Sequence, residues 1–378
     1  MTPLETLIHD EIARDGPMRL DRYMEFCLAH PEHGYYPTRD PLGAAGDFVT
    51  APEVSQIFGE LIGLWLAQVW VDQGRPAPVR WIELGPGRGT LAADAARALR
   101  QAAPDFLAAA ELVLVETSPA LRARQAERLS DLAPRWADTV DDALSGAPAF
   151  LVANEFFDAL PIRQFRRVAE TPGPGLPAWT ERHVALVEGA LTWRDLPGAP
   201  PEPLAARLAE PAEGAVLEAC PAGEAVAAAI GRALAERGTG AALLIDYGYD
   251  DAERRAAGGR DTFQAARRHE YADPLAHPGE ADLTAHVDFD ALARAARPAN
   301  AWGAVGQGSF LRALGAEPRA AQLARANPAR AEAVAAGLHR LTHPAEMGRL
   351  FKAMALSPPN APPPPGLTAA PKAPEGAG

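Results

Sequence analysis

The feature that most constrains this chain is the segment WIELGPGRGTLAADAARALRQAA (Trp81–Ala103). A strand-like run there enters a turn of alternating glycines and leaves it as an alanine-rich helix. The next segments repeat this plan. ELVLVET (Glu111–Thr117) reads as a second strand and SPALRARQAERL (Ser118–Leu129) as a helix. Ser118 suits the helix cap and Pro119 its first turn. A short third strand is expected near Trp136–Val140, and PAFLVANEFF (Pro148–Phe157) reads as a fourth. Strands alternating with helices predict an α/β fold, a Rossmann-like parallel sheet with helices on both faces.

The regions outside this pattern set the expected organisation. Residues 1–75 read as an N-terminal helical extension in which Phe58, Leu61, Ile62, Trp65 and Val69 recur at helical spacing. The long Gly/Pro-rich connection His30–Gln56 has the length of a lid or binding loop. Residues 76–162 and 215–356 are expected to form the α/β domain, with the helix Glu224–Gly238 and the strand Ala241–Gly248 resuming it. Between them, 163–214 carries the strand-like WTERHVALVEGALTW (Trp179–Trp193) and reads as an antiparallel insertion covering the substrate side. The Pro- and Gly-rich stretch 357–378 is expected to be disordered.

Bulk properties narrow the function. The 378-residue chain has 36 basic and 49 acidic side chains, a net charge of −13, so a phosphate backbone is a poor partner and nucleic acid is not expected. Cys27 and Cys220 are too few for a disulfide framework, and neither they nor the scattered histidines have metal-ligand spacing. The opening MTPLETLIHDEIARDG is acidic, unlike a secretory or transit peptide. The longest apolar stretch, Leu61–Val71, is short for a bilayer span. These features predict a cytoplasmic protein without membrane insertion; an oligomer is compatible with them.

The glycine turn carries the chemistry. Glycines let a backbone approach a ligand closely, and the helix start adds N–H groups and a partial positive charge. The order G-x-G-x-G at Gly85, Gly87 and Gly89 departs from the dinucleotide fingerprint G-x-G-x-x-G, and the turn lacks the lysine of a phosphate-binding P-loop. Glu116 closes the next strand, where a carboxylate can accept from ribose hydroxyls. Together these features look like the S-adenosyl-L-methionine site of a class I methyltransferase, with the amino acid portion over Gly85, Pro86, Gly87 and Gly89 and the ribose at Glu116 and Thr117. A tight turn without ligand and a solvated strand-end acid are the alternatives. ANEFFDALP (Ala153–Pro161) follows the fourth strand, so Asn154, Glu155 and Asp158 are candidates for the reacting centre, with helix capping as the alternative. A helical turn there would put Glu155 and Asp158 on one face. Asp246 and Tyr247 end another strand at the same edge, and Asp47 and Thr50 lie on the lid-like loop.

In order along the chain, HPEHGYY (His30–Tyr36), GDFVTAPEVSQIFGE (Gly46–Glu60), IELGPGRGTL (Ile82–Leu91), VETSP (Val115–Pro119), ANEFFDALP, LLIDYG (Leu243–Gly248), ADLTAHVDF (Ala281–Phe289) and GQGSFL (Gly306–Leu311) form a pattern. It resembles the MidA-like family of methyltransferases, which includes the mitochondrial complex I assembly-factor arginine methyltransferase. The resemblance implies a class I fold with an insertion. It implies donor contacts at Gly85, Gly87, Gly89 and Glu116 with Asp47 and Thr50 nearby, and arginine methylation of a protein substrate, a complex I core subunit. Glu155 and Asp158 would then grip the guanidinium with Asn154 orienting them. A small-molecule O- or N-methyltransferase and a non-catalytic S-adenosylmethionine-binding assembly factor are the alternative functions.

Overall fold

The computed structural model describes residues 2–38, 50–168, 178–207, 211–267 and 270–368. The chain forms two compact units that interleave along the sequence. One consists of Val49–Phe156, Ala225–Gly248 and Phe289–Gly378; the other of Met1–Phe48, Phe157–Glu224 and Tyr249–Asp288.

The first unit is built on β1 (Val79–Leu84), β2 (Ala110–Val115), β3 (Arg135–Ala137), β4 (Ala149–Asn154), β5 (Ala241–Tyr249), β6 (Asn300–Gly306) and β7 (Phe351–Ser357). Their order across the sheet is β6-β7-β5-β4-β1-β2-β3. Strands β1 to β5 pair in parallel, and β7 runs antiparallel between β5 and β6. From β1 the chain builds outward through β2 and β3, then returns to the other side of β1 as β4. Open α/β sheets bind ligands at the carboxyl ends of strands where the order reverses in this way. Strands β4 and β5 are almost wholly buried along their length, as expected of strands covered on both faces rather than alternating.

The helix after the glycine turn, Thr90–Ala102, buries Leu91, Ala92, Ala95, Ala96 and Leu99 at helical spacing. The helix Gln56–Asp72 crosses it closely, because Gly59 and Gly63 face it. A Cβ on Gly63 would lie 2.8 Å from the Ala95 Cβ. Glu60, 1% exposed in the same helix, is fixed by Arg97 (3.0 Å) and Arg319 (2.7 Å). Burial pushes its carboxyl up, but hydrogen bonds from Arg319 and Arg97 outweigh that and hold it below its ordinary range.

The second unit opens with the helix Pro3–Asp15, started by a Thr2/Glu5 capping box. Its five-stranded antiparallel sheet runs Met18–Arg19, Trp179–Val187, Arg163–Arg167, Val216–Ala219, with Ala190–Pro197 forming a hairpin on Trp179–Val187. The antiparallel strands expected within 163–214 are therefore present. Leu4, Ile8, Tyr23, Met24 and Tyr35 are among its fully buried core residues.

Two expectations need correction. The helix Gln56–Asp72, expected in an N-terminal extension, belongs to the core of the sheet unit, since an almost uniformly apolar helix needs two packed faces. The stretch after Ser357, expected disordered, is placed as far as Thr368. There the Trp65 indole N–H donates to the Pro365 carbonyl oxygen (3.0 Å), the Gly303 amide donates to that of Thr368 (2.8 Å), and Leu367 is buried. Its carbonyls thus find donors although its prolines have none to offer.

Candidate active site

Strand register brings the candidate residues level at one sheet edge. Leu84 pairs with Val115 on one side and Ala153 on the other, and Asn154 pairs with Ile245. Gly85, Glu116, Asn154, Glu155 and Asp246 therefore leave neighbouring strand ends together. The Gly85 amide donates to the Val115 carbonyl oxygen (3.1 Å) and the Gly89 amide to that of the buried Pro86 (2.8 Å), closing the turn. Gly85, Gly87 and Gly89 have φ of 61°, 52° and 73°. That left-handed backbone explains the glycines: side chains there would be strained, and a Cβ on Gly85 or Gly89 would stand 3.1 Å from Phe156 or Leu129.

Glu116 sits beside this turn. Its Oε1 accepts from the Ser118 amide (2.8 Å) and its Oε2 from the Gln125 carboxamide (3.3 Å). Burial pushes its carboxyl above the ordinary range, while the Ser118 and Gln125 hydrogen bonds pull the other way. Each oxygen has further acceptor capacity. Bare backbone next to a two-oxygen acceptor suits an amino acid joined to a ribose, so the residues present fit the methyl donor. Thr117 is exposed beside Glu116. Asp47 lies outside the described residues.

The fourth strand end is held firmly. Glu155 has φ of 51°, a left-handed conformation uncommon for any residue but glycine. Its amide donates to the Ile245 carbonyl oxygen (2.9 Å), and its Oε1 accepts from the Ala51 amide (2.8 Å) and the Asn154 carboxamide (3.2 Å). Thr50, the residue before Ala51, caps the short helix Ala51–Val54 by position, without a side-chain bond. Asp246, 1% exposed, accepts from the Phe156 amide (3.1 Å) and its neighbour's amide at Tyr247 (2.9 Å). It works as a brace for the strand end. Tyr247 is buried with its ring edge-on to Phe351.

Asn154 and Glu155 thus stand with the glycine turn, whereas Asp158 belongs to the second unit. The segment between Glu155 and Asp158 is bend and turn, so the helical face expected to join them does not form. The left-handed Glu155 turns the chain out of helical geometry. Asp158 is 7% exposed, and its carbonyl oxygen accepts from Ala285 (3.0 Å). In that unit Tyr36 donates to Asp282 (3.0 Å), and its phenol is pushed well above the usual range by burial, then by the charges of Asp282 and Asp158.

Two buried polar residues near the glycine turn escaped the sequence reading. Gln125 lies fully buried on the inner face of the helix Pro119–Arg128, four residues after buried Leu121. A lone amide at that apolar spacing was the available signal. Glu83, at the end of β1 and 3% exposed, has its carboxyl pushed up to about 8 by burial against an opposing hydrogen bond from the Ala92 backbone.

Similarity to known proteins shows the family. Residues 61–307 match the family model of S-adenosyl-L-methionine-dependent methyltransferases. The chain is 35% identical to the mitochondrial protein arginine methyltransferase NDUFAF7 homolog of Drosophila melanogaster, over 92% of this chain and 83% of that protein. It is 33% identical to human mitochondrial NDUFAF7, also a protein arginine methyltransferase, over 95% of this chain and 84% of the relative. A solved superfamily member from Burkholderia thailandensis, bound to S-adenosyl-homocysteine, is 32% identical with a TM-score of 0.82, covering 96% of this chain and 93% of that one.

The cytoplasmic location expected from the acidic first residues is overturned, because the curated relatives are mitochondrial proteins. Those first residues fold into the helix Pro3–Asp15, which buries Leu4, Ile8 and Ile12 on one face. Among the described residues, no helix is long and apolar enough to cross a membrane. The strand order, the left-handed glycine turn and the family match together make this chain a member of the S-adenosyl-L-methionine-dependent methyltransferases.

Proposed function

We propose that the methyl acceptor is an arginine side chain of a protein, with a subunit of a respiratory complex I-type assembly as the first candidate. Similarity to protein arginine methyltransferases supports the arginine. The observation that carries the reading is Glu155, an acid held in a strained backbone conformation level with the donor turn, with its Oε1 fixed by two N–H donors. Residues kept in such conformations cluster where function depends on them.

The donor supplies an electrophilic methyl carbon. The protein's part is positioning and charge. An arginine stays protonated in water, with a pKa above about 12, so a nitrogen gains nucleophilicity only as its proton is drawn away. The Glu155 carboxylate, oriented by Asn154 and Ala51, is suited to hold a guanidinium and accept that proton. Asp158 enters as a second acid on its sequence alone, and Asp158→Asn tests it separately.

The experiment is transfer of labelled methyl from S-adenosylmethionine into extract from cells lacking the gene, followed by amino acid analysis. Label in methylarginine supports the reading. Label confined to small molecules contradicts it. Glu155→Gln should lower transfer by about 100-fold or more while S-adenosyl-homocysteine still binds.

A further inference from the structure

We infer that Gln125 is the positioning residue of the donor site, locking the glycine turn and the Glu116 carboxylate into one preset unit. The inference rests on the reading of Glu116 as the ribose acid. Gln125 is fully buried, and each polar group of its carboxamide has a named partner. Its nitrogen donates to the Gly87 carbonyl oxygen (2.7 Å) and to Glu116 Oε2 (3.3 Å), and its oxygen accepts from the Trp136 indole N–H (2.8 Å).

The orientation of the amide is forced. An indole N–H is a donor only, so the carboxamide oxygen must face Trp136 and the NH2 must face the two acceptors. The opposite orientation would set oxygen against oxygen at Gly87 and N–H against N–H at Trp136. Both amide hydrogens are then committed to the protein, so Gln125 acts through Glu116 and Gly87 rather than on a ligand. A Cβ on Gly89 would lie 3.7 Å from the Gln125 Cγ, so the same side chain also lines the turn where the donor helix begins. With Ser118 on Oε1 and Gln125 on Oε2, the Glu116 carboxylate is held from both ends before any ligand arrives. Preset acceptors bind a diol without the cost of ordering them. A leucine would satisfy packing on that helix face as well as Leu121 does, so the buried amide has a polar task.

The test is calorimetry with S-adenosyl-homocysteine and its 2′-deoxy analogue on the wild type, Gln125→Met, Glu116→Ala and the double variant. The wild type should prefer the ribose form by about 10-fold or more. Gln125→Met should reduce that preference to about twofold, and the double variant should bind within about twofold of Glu116→Ala. Retained preference in Gln125→Met, with losses that multiply in the double variant, would overturn the inference and leave Gln125 a packing residue. If Glu116→Ala keeps both affinity and preference, the ribose-acid reading itself fails and the inference with it. Gln125→Glu guards against misfolding, since it keeps the volume and the Trp136 bond. Its affinity for S-adenosyl-homocysteine should recover by about fivefold or more between pH 8 and pH 5.5, as the new carboxyl gains a proton to donate. A pH profile matching the wild type would overturn the inference.

Discussion

The Ala51 amide donates to Glu155 Oε1 across 2.8 Å, tying the start of a short helix to an acid whose own backbone is left-handed. The strain and the bond belong together. A left-handed non-glycine residue costs roughly 1–3 kcal/mol, and a hydrogen bond to a charged group contributes about 1.5–3 kcal/mol. The position is therefore nearly balanced in stability, and its residue type is open to selection by function.

Glu155→Gly follows from that balance. Glycine removes the backbone strain and also removes the carboxylate bond, so unfolding stability should change by less than about 2 kcal/mol. Methyl transfer should nevertheless fall by about 100-fold. Urea unfolding and labelled transfer measured on the same preparation check both. A stable, fully active variant would remove Glu155 from the site.

Gly85→Ala places a Cβ on a backbone with φ of 61°, 3.1 Å from the Phe156 ring. The conformation should cost about 1–2 kcal/mol of stability. Because the methyl group also presses on Phe156 and shifts the turn, S-adenosyl-homocysteine should bind about 10-fold more weakly, as calorimetry would read.

Glu83 makes stability depend on pH. Its folded-state carboxyl, near 8, lies above the ordinary 4.5 of an unfolded chain. The stabilisation from the neutral buried acid is complete below the unfolded value and is lost as pH rises through the folded one. Stability should thus decline between about pH 5 and pH 8 through this group. Glu83→Gln, neutral throughout, should flatten that decline in urea midpoints. An unchanged slope would show that Glu83 does not carry it.

Gly63→Val inserts atoms where even a Cβ would stand 2.8 Å from Ala95. Overpacking of this kind costs about 1–3 kcal/mol. The helix displaced is the one the glycine turn opens, so the affinity for S-adenosyl-homocysteine should fall along with the urea midpoint.

Much of the fold was legible because its signals are local. The glycine turn, the Ser118 cap and the apolar strands β4 and β5 each obey rules that hold within a few residues. What was missed depends on distant partners. Gln125 becomes meaningful only when Gly87, Glu116 and Trp136 meet around it. The prolines after Ser357 looked unstructured until Trp65, far away in sequence, supplied a donor. The pairing of Glu155 with Asp158 assumed a helix that one left-handed residue prevents.

The most direct measurement is a crystal structure of this protein grown with S-adenosyl-homocysteine. The account predicts the ligand's ribose hydroxyls within hydrogen-bonding distance of Glu116 and its amino acid portion against Gly85–Gly89. Density for the ligand at another place, or ribose hydroxyls turned away from Glu116, would contradict it.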